Sequence, residues 1–145
     1  MDPWLLFIYK VPNEPSAGRV YVWRKLKAMG AIVLHDSVWV LPNTPRTHEK
    51  LQWLASEIQE MKGGEAMLWE AKQLFTGKDV DLVQQFSQQV DILYKDILAQ
   101  LRRKNPDLAA LSRQYQLVNA QDYFQSETGK KVYATLIGLR KKGES

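Results

Sequence analysis

The sequence predicts an α+β protein: a ferredoxin-like βαββαβ domain over residues 1–75, then an all-helical extension of about three helices over residues 76–145. Three observations predict it. Short apolar runs alternate with amphipathic helical patterns through the first seventy-odd residues, in the order βαββαβ. No strand pattern follows them. All five tryptophans (4, 23, 39, 53 and 69) lie in the first half, as expected if large aromatics anchor an α/β core.

Trp4 to Val11 reads as a buried strand ended by the turn-forming Pro12-Asn13-Glu14-Pro15. Ser16 is placed to cap a helix in which Arg19, Val22, Trp23, Leu26 and Met29 recur at helical spacing. Gly30 suits a left-handed helix stop. Ile32-Val33-Leu34 and Val38-Trp39-Val40-Leu41 form a hairpin across His35-Asp36-Ser37. Thr44 or Thr47, with Pro45 near the first turn, opens a second helix with an apolar stripe of Leu51, Leu54, Ala55, Ile58 and Met61. Gly63-Gly64 ends it, and Ala66-Met67-Leu68-Trp69 makes a fourth strand.

Past the boundary near Phe75-Thr76-Gly77-Lys78, Asp79 is expected to cap a long helix. Its stripe is Val83, Phe86, Val90, Leu93, Ile97 and Leu101. Asn105-Pro106 supplies a cap and a first-turn proline for a helix over Leu108 to Leu117. A last helix runs from Ser126 to about Arg140 on Val132, Leu136 and Leu139, with Gly129 a weak point.

Composition narrows the chemistry. With no cysteine among 145 residues, a disulfide framework, a thiolate metal site and a cysteine nucleophile are excluded. His35 and His48 leave little for imidazole chemistry. His48-Glu49-Lys50-Leu51-Gln52 begins like a zinc-protease helix, but Gln52 stands where the second histidine is needed. His35-Asp36-Ser37 holds triad residue types in a turn too short for triad geometry. Glu57 and Glu60 share a helix face as solvated carboxylates. No phosphate-binding glycine loop is present. A non-enzyme without cofactor or metal is expected. The apolar run after Asp2 is too short for a signal peptide or a membrane span, so a cytoplasmic protein without a membrane partner is expected.

The formal net charge is +4. Residues 1–75 hold 9 basic and 8 acidic residues, and 76–145 hold 11 and 8, so the excess is +1 and +3. The basic residues cluster. Arg19, Arg24, Lys25 and Lys27 sit on the first helix among Tyr21 and Trp23, and are the expected phosphate contacts. Lys130, Lys131, Arg140, Lys141 and Lys142 on the last helix are auxiliaries. Arg102-Arg103-Lys104 fits the negative end of a helix dipole.

The block Arg19-Val20-Tyr21-Val22-Trp23-Arg24-Lys25-Leu26-Lys27-Ala28-Met29-Gly30-Ala31, followed by Val38-Trp39-Val40-Leu41-Pro42, resembles the N-terminal domain of the ChrB family of chromate-resistance regulators. That family reads R-x-x-x-W-R-x-L-x-x-x-G-A, then a hairpin whose second strand ends in L-P. Asp122-Tyr123-Phe124 looks like its D-[FY]-F step, which extends the resemblance over nearly the whole chain. The resemblance implies a bacterial cytoplasmic regulator, a dimer that binds promoter DNA and takes chromate as effector. Full-length members carry a further C-terminal chromate-resistance domain, whereas this chain ends at Ser145. It is expected to be either an N-terminal fragment or a stand-alone protein.

Two more distant likenesses concern the first half. One is to the core of the PaaX repressor. The other is to ferredoxin-like CRISPR-associated nucleases, which hold a metal through an aspartate at the end of the first strand. Lys10 stands there in this sequence, and a cation cannot ligate Mg²⁺. The alternatives to a regulator are such a nuclease, or a protein-interaction module without DNA binding.

Overall fold

A computed structural model describes residues 2–75 and 81–144. The protein is α+β, with one four-stranded antiparallel sheet and a helical C-terminal region. It divides into two compact units, Met1–Gly77 and Lys78–Ser145.

The first unit runs β1 (Trp4–Lys10), α1 (Ala17–Ala28), β2 (Ile32–His35), β3 (Val38–Pro42), α2 (Pro45–Glu60) and β4 (Glu65–Ala71). The strands lie in the order β2-β3-β1-β4, each antiparallel to its neighbours. Alternation along β1 sorts the side chains. Leu5 and Phe7 are buried and register with Leu41 and Trp39 of β3 and with Glu70 and Leu68 of β4. Leu6 and Ile8 take the other face, opposite Val40 and Val38 on one side and Trp69 and Met67 on the other. α2 packs on β1 and β4.

Capping fixes the helix ends. At the end of α1, Gly30 is left-handed (φ 78°); its N–H donates to the Lys27 carbonyl, and the Ala31 N–H donates to the Leu26 carbonyl. This is the paired bond pattern of a Schellman stop. Thr44 caps α2, with Pro45 in the first turn. Its hydroxyl accepts from the Thr47 N–H at 3.1 Å, and the Thr47 hydroxyl accepts from the Thr44 N–H at 3.0 Å. Thr47 is buried and also donates to the Pro42 carbonyl at 2.6 Å, tying α2 to β3. Ser16 holds the cap position of α1 without a side-chain bond. Its backbone is already helical (φ −71°, ψ −13°), whereas a capping hydroxyl needs an extended one.

The tryptophan expectation is overturned. Trp39 is buried at 4% exposure, but Trp23 (51%), Trp53 (67%) and Trp69 (54%) stand largely in solvent. The buried stripe of α1 is narrow, Val22, Leu26 and Met29, and Trp23 lies on its flank. Trp69 is on the Leu6 face of the sheet, not the Phe7 face. The core is carried by Leu5, Phe7, Val22, Leu26, Leu51, Leu54 and Ile58.

The second unit packs α3 (Leu82–Leu101), α4 (Leu108–Asn119) and α5 (Glu127–Glu144) around Val90, Tyr94, Ile97, Leu111, Val132 and Leu136. Asp79 lies outside the described residues. The cap of α3 is Asp81, whose carboxylate accepts from the Gln84 N–H at 3.2 Å. Val83 and Leu93 are exposed, and the stripe runs instead through Leu82 and Tyr94. Asp107, not Asn105, caps α4. Asn105 is left-handed (φ 53°) and Pro106 precedes the helix.

Gly129 is a packing position and not a weak point. A Cβ there would stand 2.6 Å from the ring of Tyr94. The Tyr94 hydroxyl donates to Asp122 at 2.9 Å. Asp122 also accepts from the Ser126 N–H at 3.1 Å. Ser126 donates to Asp91 and accepts from the Thr128 and Gly129 N–H groups that open α5. Burial first, then the bond to Asp122 and the charge of Asp122, push the Tyr94 phenol above its ordinary range. Tyr123 and Phe124 pack on Phe86, Tyr123 edge to face. The Asp122-Tyr123-Phe124 step therefore does structural work.

Candidate nucleic-acid interface

The four cations of α1 do not share one surface. An α-helix turns about 100° per residue, so Arg19, Trp23 and Lys27 form one stripe and Lys25 falls about 200° from Trp23. The Lys27 ammonium lies 5.9 Å from the centroid of the Trp23 ring. This stripe walls an open cavity of about 530 Å³ whose floor includes Tyr9, Trp39 and Val33. Lys10, at the end of β1, joins the same wall. Arg24 turns to the adjacent groove, where it meets Arg19, Val20 and Trp23.

Lys25 lies on the other flank, 5.5 Å from the Tyr21 ring centroid and beside Lys50 and Glu57 of α2. Loss of water, then the charges of Arg46 and Lys25, lower the Lys50 ammonium below its ordinary range. The Tyr21 hydroxyl donates to Glu57, and that bond raises the phenol. A second, smaller basic patch thus forms from Lys25, Arg46 and Lys50.

Among the described residues, no carboxylate lies within ion-pair distance of Lys10, Arg19, Arg24 or Lys27. Asp36 is the one carboxylate among the residues lining the 530 Å³ cavity. It sits at the hairpin turn (φ 47°) and lies 3.7 Å from His35. Among the described residues, the buried Trp39 Nε1 has no hydrogen-bond partner. An unsatisfied buried donor costs about 1–3 kcal/mol, so its position needs an explanation.

The auxiliary cations of α5 are dispersed. Lys130 is held by Glu127 at 3.0 Å, Lys131 is exposed, and Arg140 donates to the Ser112 hydroxyl at 2.9 Å. Lys141 and Lys142 are exposed on the last turns. Ten residues of helix separate the Lys130 and Arg140 groups by about 15 Å. Among the described residues, no group of three or more His, Asp or Glu side chains is placed to share a metal ion, and no helix is long and apolar enough to cross a membrane.

Sequence reasoning weighed Lys10 only as a misplaced metal ligand, and passed over Tyr9, Arg46 and Lys50. Alternation along β1 gave no signal for Lys10, which has the parity of Leu6 and Ile8; it lines the cavity because β1 ends there. The residues carrying the ChrB resemblance sort cleanly by role: Leu26, Gly30 and Ala31 serve the core and the helix stop. Arg19, Trp23 and Arg24 are exposed and are required by neither.

Residues 19–108, from Arg19 in α1 to Leu108 at the start of α4, match the family described as "Protein ChrB, N-terminal". The chain belongs to this family. The match takes in the whole α1 stripe, the hairpin and α2, and stops short of Asp122-Tyr123-Phe124. Protein ChrB of Cupriavidus metallidurans is 38% identical over 65 residues, 45% of this chain and 20% of that protein. The aligned stretch thus spans a fifth of the relative's length. No solved structure matches the chain.

Proposed function

We propose that this ChrB-family chain is a non-enzymatic regulatory domain of the chromate-resistance response, one that contacts promoter DNA as a dimer in the bacterial cytoplasm. The observation that carries the reading is the cationic flank of α1. Arg19, Arg24 and Lys27, joined by Lys10, surround a half-exposed tryptophan and have no carboxylate partners among the described residues. Such charges are free to replace the counterions of a phosphate backbone. The strand order β2-β3-β1-β4, with a helix after β1 and another after β3, fits a ferredoxin-like arrangement. For the dimer, the reading takes the sheet face bearing Met67 and Trp69, two apolar side chains about half exposed. Chromate enters as effector through family membership alone, and no residue here is assigned to it.

The test is binding of duplex promoter DNA over a salt series. Affinity should fall steeply between about 50 and 200 mM salt, as counterion release requires. Absence of any salt-sensitive duplex binding sinks the reading. Sedimentation of the same protein should give a dimer. DNA and RNA incubated with it and Mg²⁺ or Mn²⁺ should stay intact, and cleavage would favour a nuclease instead.

A further inference from the structure

The cavity beside α1 has a chemistry that duplex contact does not use. Its volume of about 530 Å³ lies within the roughly 300–1,000 Å³ of small-molecule sites and far exceeds one tetrahedral oxyanion, which occupies a few water volumes of about 30 Å³ each. Three aromatic residues line it: Tyr9, Trp23 and Trp39. Three cations, Lys10, Arg19 and Lys27, line it too, against the single carboxylate of Asp36. Phosphate groups on duplex DNA would engage the cations and leave the aromatic surface unused. A ligand combining a planar ring with a phosphate would engage both.

We infer that this cavity binds a nucleotide, with the base stacked on Trp23 and the phosphate held by Arg19, Lys10 and Lys27. The same chemistry is offered by a free nucleoside phosphate and by an unstacked nucleotide of a single strand. The inference shares Arg19 and Lys27 with the duplex reading and goes beyond it, since stacking plays no part in phosphate-backbone contact.

Calorimetric titration of the full chain with adenosine monophosphate, adenosine, inorganic phosphate and a short single-stranded oligo(dA) tests it. Adenosine monophosphate should bind at least about tenfold tighter than adenosine or phosphate alone, because each lacks one of the two contacts. Trp23→Ala, at an exposed site where folding is readily confirmed by circular dichroism, should weaken binding about tenfold, as should Arg19→Ala. Lys25→Ala, on the opposite flank of α1, should leave it unchanged. Binding of the oligonucleotide with none of the mononucleotide identifies the strand as the source and supports the site. Failure of both to bind overturns it. So does phosphate binding as tightly as the mononucleotide, or wild-type binding by the Trp23 and Arg19 variants. Duplex binding without nucleotide binding sinks this inference alone, and the converse sinks only the duplex reading.

Discussion

At the scale of single residues, two glycines of one helix separate packing from propensity. Alanine is favoured over glycine in a helix interior by about 1 kcal/mol. Gly138 has nothing within 4 Å of an added Cβ, so Gly138→Ala should stabilise by about 0.5–1 kcal/mol. At Gly129 the added methyl would stand 2.6 Å from the Tyr94 ring, which is fully buried and tethered through Asp122. The ring cannot move aside cheaply, and overpacking of this kind costs about 1–3 kcal/mol, more than propensity returns. Gly129→Ala should therefore destabilise, and urea unfolding of both variants checks the opposite signs. Tyr94 has its own signature. Its phenol titrates higher folded than unfolded, so its contribution is complete below the unfolded value of about 10 and is lost as pH rises above it. Tyr115, raised by burial and then by Tyr133 and Asp122, acts in the same direction. Tyr94→Phe should cost about 1 kcal/mol at neutral pH through the lost bond and should flatten the fall in stability above pH 10. An unchanged alkaline limb would refute the assignment.

At the scale of elements, the two helix starts of the first unit look alike in sequence, each a hydroxyl residue beside a proline, yet only one is capped by its side chain. Thr44→Ala removes a reciprocal capping pair and should cost about 1 kcal/mol. Ser16→Ala removes nothing and should stay within about 0.5 kcal/mol. Thermal melts of the two variants decide this, and equal losses would show that Ser16 caps after all. The contrast explains how far the elements were legible in sequence. Periodicity located every strand and helix because burial on one face imposes a period. Caps were legible only where the backbone dihedral could be guessed, so Asp107 displaced Asn105 at the start of α4. Tryptophan misled for a related reason. Its size argues for burial, but a helix buries only the stripe facing its sheet, and a strand buries alternate residues. Trp23 and Trp69 each fall one position from a residue on the packed face: Val22 in α1 and Leu68 in β4.

At the scale of the whole molecule, the candidate site was half legible for a geometric reason. A run of basic residues in sequence spreads around a helix, while a site gathers residues from separate elements. The α1 cluster contributed Arg19 and Lys27 to one wall and Arg24 to the next groove, while Lys25 went to the flank facing α2. Lys10 arrived from β1, some nine residues earlier in the chain. Net charge carries the same lesson. Most of the +4 excess lies in the second half, but there Lys130 is neutralised by Glu127 and Arg140 is engaged by Ser112. The nearly neutral first unit nevertheless presents cations unopposed over one flank, so local arrangement and not net charge should set the salt dependence of DNA binding. Each phosphate neutralised contributes about 0.9 to the slope of log affinity against log salt on a duplex. The double variant Arg19→Ala with Lys27→Ala should therefore flatten that slope by about 2 units. Lys25→Ala, on the far flank, should leave it unchanged, and Lys130→Ala should do the same because its charge is already paired. Fluorescence anisotropy with one duplex over a salt series reads all three. A slope change for Lys25→Ala as large as that per residue in the double variant would mean that DNA meets both flanks of α1, and that the stripe beside the cavity is not the interface.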